Sequence, residues 1–497
     1  MQQLCSPEEA ARWLKAQVRG TLCADSRQIG LGDGFIAWPG AATDGRQFVA
    51  TALAAGASAC LIERDGAEAY AFTDPRIAAY SGLKADTGPI AAAYFDAPSQ
   101  QLQVAAITGT NGKTSTAWWL AQALGRLGRR CGVIGTLGIG EPGAMVNNGL
   151  TTPDPVLLQQ QLRRLVNEGF AACAIEASSI GLQERRLEAA RIDVAVFTNF
   201  TQDHLDYHAS MQDYWQAKQA LFAWPGLKAA VINIDDAKGV ELSAALTGKN
   251  LDLWTVSCAQ PARLQARAIV HGAHDLSFEV AEGAQSQRLT VSLVGLYNVS
   301  NLLGVIAALR AMGLPLAQAV SACAGLLPVP GRTEMIAIEG QPLVVIDYAH
   351  TPDALEKVLL ALKPVAQARG GQLRCVFGCG GDRDAGKRPL MAAAAEKNAD
   401  QLILTSDNPR SENPLSILAQ MRPGLSRPDA AQVQPDRAAA IEQAVRQSQP
   451  QDVVLLAGKG HENYQDIKGV KHSFSDRAQA QAALDVRAAA DLTGAGA

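Results

Sequence analysis

Two stretches of the chain gather residue types able to do chemistry. The first, ITGTNGKTSTAWW (107–119), sets Gly109, Thr110, Asn111, Gly112, Lys113, Thr114 and Ser115 between an apolar run and a helical one. Backbone N–H groups at the head of a helix cradle anions, a lysine there can reach terminal phosphates, and the threonine hydroxyl can sit on magnesium. The common G-x-x-x-x-G-K-[ST] spacing is not met, because the residue five before Gly112 is Ile107. The loop is a shorter version. Gly-rich turns between strand and helix can be purely structural, but Gly-Lys-Thr at such a junction points to a nucleotide. The second stretch, LTSDNPRSENP (404–414), closes an apolar run with Asp407, Asn408, Pro409 and Arg410 in succession. Pro409 removes a backbone donor and keeps Asn408 extended. An anion, an amide and a guanidinium stand side by side, either as a solvated turn or as a place where a ligand is held.

Three further residues could join the phosphate loop. Glu176 ends the run AIE, His204 follows a strand in TNFTQDHLDYH, and Lys218 lies in the helical DYWQAKQALF. Glu176 and His204 would add ligands for a hard ion beside phosphates. Each also has a plain reading: Glu176 as a helix cap, His204 as a turn residue, and Lys218 as a solvated charge, which spacing alone favours for a lone helical lysine.

The elements that must position these residues follow from the apolar pattern. Residues 1–98 alternate short apolar runs with turns, and DAPSQQ (96–101) reads as a linker. A strand at QVAAIT (103–108) and a helix from Thr114 to Arg130 then open a second region, 99–330, with buried strands in FAACAIE, IDVAVFTN and AAVINID. Continuous β-branched runs between helices predict a parallel sheet covered on both faces. The Pro/Gly cluster LLPVPGR (326–332) marks a second boundary, and 331–497 repeat the alternation in PLVVIDYA, LRCVFGCGG, QLILTSD and DVVLLAGKG. The tail beyond 477 is Ala-rich and reads as helical, with a frayed LTGAGA end. Thr108, Glu176, Asn199, Asp235, Asp347, Asp382, Asp407 and Lys459 all stand at or just past strand ends. Open parallel sheets bind ligands there. Two sheets with such ends predict a site built between domains.

Composition agrees. At 497 residues the length suggests about three domains. The chain is 48% hydrophobic and 19% charged, which describes a globular protein. A net charge of −4 argues against a general nucleic-acid surface. The nine cysteines include no Cys-x-x-Cys pair, so buried, reduced thiols are expected. The N-terminus lacks a charged leader with an apolar run, and no apolar run approaches a membrane span of ~18 residues. The expected location is the cytoplasm, without membrane insertion.

The motifs GTNGKT, EASSIGL, TNFTQDHLDYH, VINIDD, GLYNVSN, PGRTE, IDYAHTPDAL, FGCGGDRDAGKRPLM and AGKGHE stand in the order seen in the Mur ligases of peptidoglycan synthesis, from ADSR (24–27) to Glu462. The chain resembles that family along nearly its whole length. The resemblance implies three α/β domains: an N-terminal one for a UDP moiety, a central phosphate-loop ATPase, and a Rossmann-like C-terminal one for an incoming amino acid. Carried over position by position, it makes Ala24, Ser26 and the wall at Ala41, Ala42 and Thr43 contacts to UDP. Thr151, Thr152, Ser178, Glu184 and Arg186 become contacts to a muramoyl dipeptide. The loop residues 109–115 with Asn298, Arg332 and Asp347 would hold ATP. Lys113, Glu176, His204 and Lys218 would be catalytic, with Thr114, Glu176, His204 and Lys218 on magnesium, two ions in all. Lys218 falls on a lysine carried as a carbamate (N6-carboxylysine), formed with carbon dioxide, which turns an amine into an anionic ligand.

The implied reaction is ATP-driven amide formation. A γ-phosphoryl group passes to the D-glutamyl carboxylate of UDP-N-acetylmuramoyl-L-alanyl-D-glutamate, and an amino group of meso-2,6-diaminopimelate attacks the acyl phosphate. DNPR is the stretch associated with diaminopimelate, which assigns Arg383, Asp407, Asn408, Pro409, Arg410, Gly458 and Glu462 to it. Arg410 would take the distal carboxylate, with Asp407 and Asn408 as acceptors for the ammonium. The family commonly has His at the place of Ile180 and Gln at that of Glu184. Weighed against this are a lysine-adding member, a folylpolyglutamate-type ligase, and a precursor-binding protein that has lost turnover. A monomer is expected.

Overall fold

The structure, a computed structural model, describes residues 1–40, 43–272 and 275–494. Three sheets organise it, each with its own core, and the fold is α/β in three domains. The N-terminal sheet is parallel throughout, in the order Gln2–Leu4, Ile77–Tyr80, Ala59–Glu63, Gly34–Ala37, Leu22–Cys23. Helix Pro155–Asn167 of the next domain seals it: Val156 enters its core, and Gln160 Nε2 donates to Thr21 Oγ1 at 2.8 Å. The expected linker is docked, not loose. Residues Pro98–Gln101 form a 3₁₀ turn in which Ser99 is buried and its Oγ accepts from Arg191 N at 2.9 Å.

The central sheet has eleven strands. Its parallel heart runs Asp252–Ser257, Ala229–Asn233, Val194–Phe197, Gln103–Thr108, Ala172–Glu176, Cys131–Gly135. Along Gln103–Thr108 the side chains alternate, Val104 and Ala106 entering one core and Ala105 and Ile107 the other, so both faces are covered. The expectation of a wholly parallel sheet is corrected at its flanks. Gly138–Glu141 and Ala144–Val146 extend one side through antiparallel pairs; on the other, Leu264–His271 joins in parallel and Leu276–Glu282 and Gln285–Val291 follow it antiparallel. The outermost strands are half solvated: Gln285–Val291 buries only Leu289 and Val291, which leaves no continuous apolar run to read.

The C-terminal sheet is parallel in the order Leu343–Asp347, Val453–Ala457, Leu373–Phe377, Gln401–Leu404, Ala431–Val433, with Glu334–Ile336 antiparallel at its edge. A hairpin, Tyr464–Ile467 with Val470–Ser473, lies beyond it. The terminal helix Asp476–Gly494 begins at Asp476, whose carboxylate pairs with Arg437, both side chains fully buried. All nine cysteines are free thiols and six are buried. Among the described residues no helix is long and apolar enough to cross a membrane.

Candidate active site

Strand Gln103–Thr108 stands between Val194–Phe197 and Ala172–Glu176, in register Phe197 with Thr108 and Glu176 with Ile107. That pairing brings Gly109, Glu176 and the segment from Asn199 to His204 to one end of the sheet. Gly112, at φ 86°, turns the chain into helix Lys113–Arg126. A Cβ on it would lie 2.4 Å from Asn301 Oδ1, so the corner requires glycine. The loop is bonded on several sides: Asn111 N donates to Asn199 Oδ1 at 2.9 Å, and Asn111 Nδ2 to Asp353 Oδ2 of helix Pro352–Ala368 at 3.1 Å. Lys113 Nζ folds back onto Gly109 O and Thr110 O, both at 2.9 Å. Burial draws its ammonium below the usual lysine range, against the pull of Glu176 and Asp203.

Glu176 is buried and lines the mouth of the loop. Its Oε2 accepts from Thr114 Oγ1 at 2.9 Å, and Oε1 accepts from Thr136 N at 2.9 Å. It is therefore no helix cap. Arg332 comes from the far side of the cleft, with Nη2 donating to Thr114 Oγ1 at 3.3 Å and its guanidinium over the Tyr348 ring.

Lys218 is where sequence spacing misleads most. The solvated reading is corrected: the residue is 1% exposed. Ser210 caps helix Met211–Gln219 and sets Tyr214 and Lys218, one turn apart, on its buried face. Lys218 Nζ donates to Gly109 O at 2.7 Å and lies 4.4 Å from the centre of the Tyr214 ring. Burial, and then the positive Lys113, hold its amine well below the ordinary range, with Asp203 opposing. A lysine in this setting favours the neutral amine.

His204 takes the left-handed conformation at φ 55°. Its N donates to Asp203 Oδ1 at 2.9 Å, and burial lowers its imidazole below the usual range while Asp203 raises it. Burial raises the Asp203 carboxyl, but the field of His204, His350 and Lys387 outweighs this and the net shift is downward. Two other strained backbones line the same cleft: Thr333 and Arg410 have φ of 50° and 49°. Left-handed non-glycine residues of this kind cluster at functional sites.

The C-terminal wall starts at Asp347, where Oδ2 accepts from Thr333 N at 2.6 Å and burial raises the carboxyl. Beside it stand two histidines that the sequence motifs contained but no spacing argument singled out. Burial pushes His350 down to about 4 and His461 down to about 3, with neighbouring cations adding to both. Both rings pack on Tyr348, centroids 4.7 and 5.2 Å away.

Only part of DNPR faces the cleft. Arg410 faces the cleft, with Nη1 on Gly381 O at 2.7 Å. Asp407 and Asn408 are buried and, like Pro409 and Gly458, do not line it. Asn408 Oδ1 already accepts from Lys459 Nζ at 3.0 Å and Asp466 N at 2.9 Å, and its Nδ2 donates to Glu462 Oε2 at 2.8 Å. Asn408 thus braces Glu462 and is not itself open to an ammonium. Lys459, fully buried, completes the network through Glu462 Oε2 at 3.0 Å. Its place at a strand end was the available signal. Arg383 is exposed and reaches toward Asp206 at 3.9 Å.

One cleft of about 1350 Å³ joins these groups. Lys113, Glu176, His204, Lys218, Asn298, Thr151, Thr152, Ser178 and Arg186 line it from the central domain, and Arg332, Asp347, Arg383, Arg410 and Glu462 from the C-terminal one. Thr152 and Ser178 share a hydrogen bond of 2.9 Å, and Arg186 Nη1 donates to Thr152 O at 2.9 Å. Ala24, Ser26 and Thr43 lie on the N-terminal domain and do not line it, nor does Glu184. Ala41 and Ala42 fall outside the described residues. No group of three or more His, Cys, Asp or Glu side chains among the described residues makes a self-sufficient metal site.

Three stretches of the chain match family descriptions: residues 21–88 the Mur ligase family catalytic domain, 107–309 the Mur ligase middle domain, and 331–460 the Mur ligase glutamate ligase domain. The chain is 59% identical to a protein of Acidovorax sp. (strain JS42) over 97% of each, and 48% identical to one of Janthinobacterium sp. (strain Marseille) over 96% of each. Both are named "UDP-N-acetylmuramoyl-L-alanyl-D-glutamate--2,6-diaminopimelate ligase". A solved structure of that name superposes with a TM-score of 0.65 at 35% identity, covering 94% of this chain and 95% of its own. A folylpolyglutamate synthase of Mycobacterium tuberculosis complexed with ADP shares the fold at 18% identity, with a TM-score of 0.62 over 74% of this chain and 90% of its own.

Proposed function

The chain belongs to the Mur ligase family, and from that premise we propose that it is an ATP-dependent ligase of peptidoglycan synthesis. It joins meso-2,6-diaminopimelate to the D-glutamyl carboxylate of UDP-N-acetylmuramoyl-L-alanyl-D-glutamate. The observation that carries this reading is the single cleft with a phosphate loop on one wall and Arg383, Arg410 and Glu462 on the other. An acceptor carboxylate beside Thr152, Ser178 and Arg186 would take the γ-phosphoryl group, releasing ADP. The amine of the second substrate, held from the opposite wall, then attacks the acyl carbon, phosphate leaves, and an amide forms. No side-chain nucleophile is needed, so positioning and charge neutralisation carry the rate. Lys113 swings from Gly109 O and Thr110 O to the transferring phosphate, and Arg332 meets the same charge from across the cleft.

The donor chemistry at Thr114 and Glu176, a hydroxyl and a carboxylate in contact, fits magnesium, a hard ion that binds through one or two carboxylates plus phosphate oxygens. When bound, magnesium supplies charge neutralisation on those oxygens. His204 lines the same cleft and would be a further candidate ligand. Lys218 fits a second ion only as a carbamate, because an ammonium has no lone pair. Its burial without a carboxylate partner supports the neutral amine that reacts with carbon dioxide.

For the incoming diamino acid, Arg410 takes the distal carboxylate and Glu462, braced by Asn408 and Lys459, faces the distal ammonium. Ser26 and Thr43 would meet the uridine at the far end of the nucleotide. The test is ADP release with the UDP-muramoyl dipeptide and each of diaminopimelate, lysine and ornithine. Release dependent on diaminopimelate is expected. Equal rates with lysine would refute the amino-acid assignment, and release independent of any amino acid the ligase itself.

A further inference from the structure

The loop that carries His204 is held from three sides by three consecutive residues. Asp206 faces Arg383 of the C-terminal domain at 3.9 Å. His208 Nε2 lies 2.9 Å from Ser179 Oγ within the central domain. Tyr207 turns the third way, its hydroxyl donating to Glu184 Oε1 at 2.5 Å. The other oxygen of Glu184 pairs with Lys84 Nζ at 2.8 Å, on helix Leu83–Tyr94 of the N-terminal domain. One turn further along that helix, Gly88 meets the same segment of the central domain: a Cβ there would lie 2.5 Å from Glu188 O. Residues 84 and 88 of the helix therefore sit on residues 184 and 188, the first pair through side chains and the second with backbone nearly against backbone.

Burial alone would raise the Glu184 carboxyl, yet Lys84 and Tyr207 hold it below the usual range. Glu184 does not line the cleft, so it is engaged by protein on both oxygens. An exposed ion pair contributes little by itself. What matters is that one carboxylate is shared between a docked helix and the loop of His204, a residue strained at φ 55° that needs its surroundings to hold it.

We propose that Glu184 is a positioning residue: through Tyr207 it ties the His204 loop to the N-terminal domain at Lys84, so that the docked nucleotide-binding domain helps set His204 in place. This rests on the ligase reading above. Tyr207→Phe and Glu184→Ala each remove this tie, leaving those of Asp206 and His208, without touching the cleft.

Two measurements on the full chain decide it. Amide hydrogen exchange of 201–210, without substrates, should speed up severalfold in Tyr207→Phe and Glu184→Ala and to a lesser degree in Lys84→Met, with the strand at 103–108 unchanged. In turnover, both variants should lose about tenfold or more in kcat with the apparent KM for ATP within about twofold, since misplacement of a reacting group by ~1 Å can cost ~100-fold. Glu184→Gln, whose amide oxygen can still accept from Tyr207, should recover most of that loss. The double variant should be no worse than the poorer single one, because both act through one contact. Exchange in 201–210 equal to wild type in both variants would overturn the proposal. So would a raised KM for the UDP substrate at unchanged kcat, which would make Glu184 a substrate contact. A wild-type chain without ligase activity would refute the function, and the exchange measurements would still decide the tether.

Discussion

Lys218→Met should stabilise the protein and abolish its turnover. In the native state the amine is 1% exposed, with Gly109 O and the Tyr214 ring as its polar neighbours. Its folded-state pKa lies well below the unfolded value, first through burial and then through Lys113. The unfolded chain therefore binds the proton more readily, and stability rises with pH across that window. The penalty is complete below the folded pKa and vanishes above the unfolded value of ~10.4. Methionine fills similar space without the charge, and Gly109 O keeps Lys113 as a donor, so no acceptor is orphaned. Losing one hydrogen bond costs about 1 kcal/mol, while methionine escapes the cost of giving up the amine's proton on folding at pH 7, taken as ~3 kcal/mol. The net gain of about 2 kcal/mol corresponds to a rise of ~4–8 °C in Tm for a domain of this size. The assay is thermal unfolding of both proteins at pH 7 and at pH 10.5, in metal-free buffer depleted of carbon dioxide, beside ADP release. The gap should narrow at the higher pH. A methionine variant that is less stable at pH 7, by an amount that does not change with pH, would refute the reasoning and make Lys218 a packing element. Lys218→Ala, with space for a small anion, should regain part of its activity with added formate or acetate.

Arg410→Ala should raise the apparent KM for diaminopimelate while leaving those for ATP and the UDP substrate nearly unchanged. Lysine, which leaves the guanidinium without its anion at a cost of roughly 2–5 kcal/mol, should be discriminated against by about 30-fold or more, as competition assays would read. Asp476→Ala strands Arg437 in a fully buried pair and should cost about 3–5 kcal/mol in urea unfolding, with Arg437→Met in the same chain restoring much of it. His350 and His461 are held down to about 4 and about 3, so the unfolded chain takes up protons first as pH falls below ~6.5. Stability should decline from there toward pH 4, and His461→Phe should remove about 1–2 kcal/mol of the loss at pH 5, measured as the urea midpoint against pH.

The phosphate loop was legible because its chemistry is local: a strand, a Gly-Lys-Thr turn and a helix follow one another within residues 103–126. So were the parallel strands, since burial on both faces demands unbroken apolar runs, and the reactive residues at their ends, Glu176 and Asp347 among them. The half-solvated flanking strands carry no such run and stayed hidden. Lys218 was illegible for a different reason. Its neighbour Gly109 lies 109 positions away, and only the packing of helix Met211–Gln219 under the loop makes the site dry. In the same way, nothing in DNPR says that Asn408 would turn inward to Lys459 and Glu462, leaving Arg410 to face the cleft. Residue type and spacing determine which groups can ionise or donate; whether water reaches them, and which partner they meet instead, is set by segments far off in the chain, and that decides their charge.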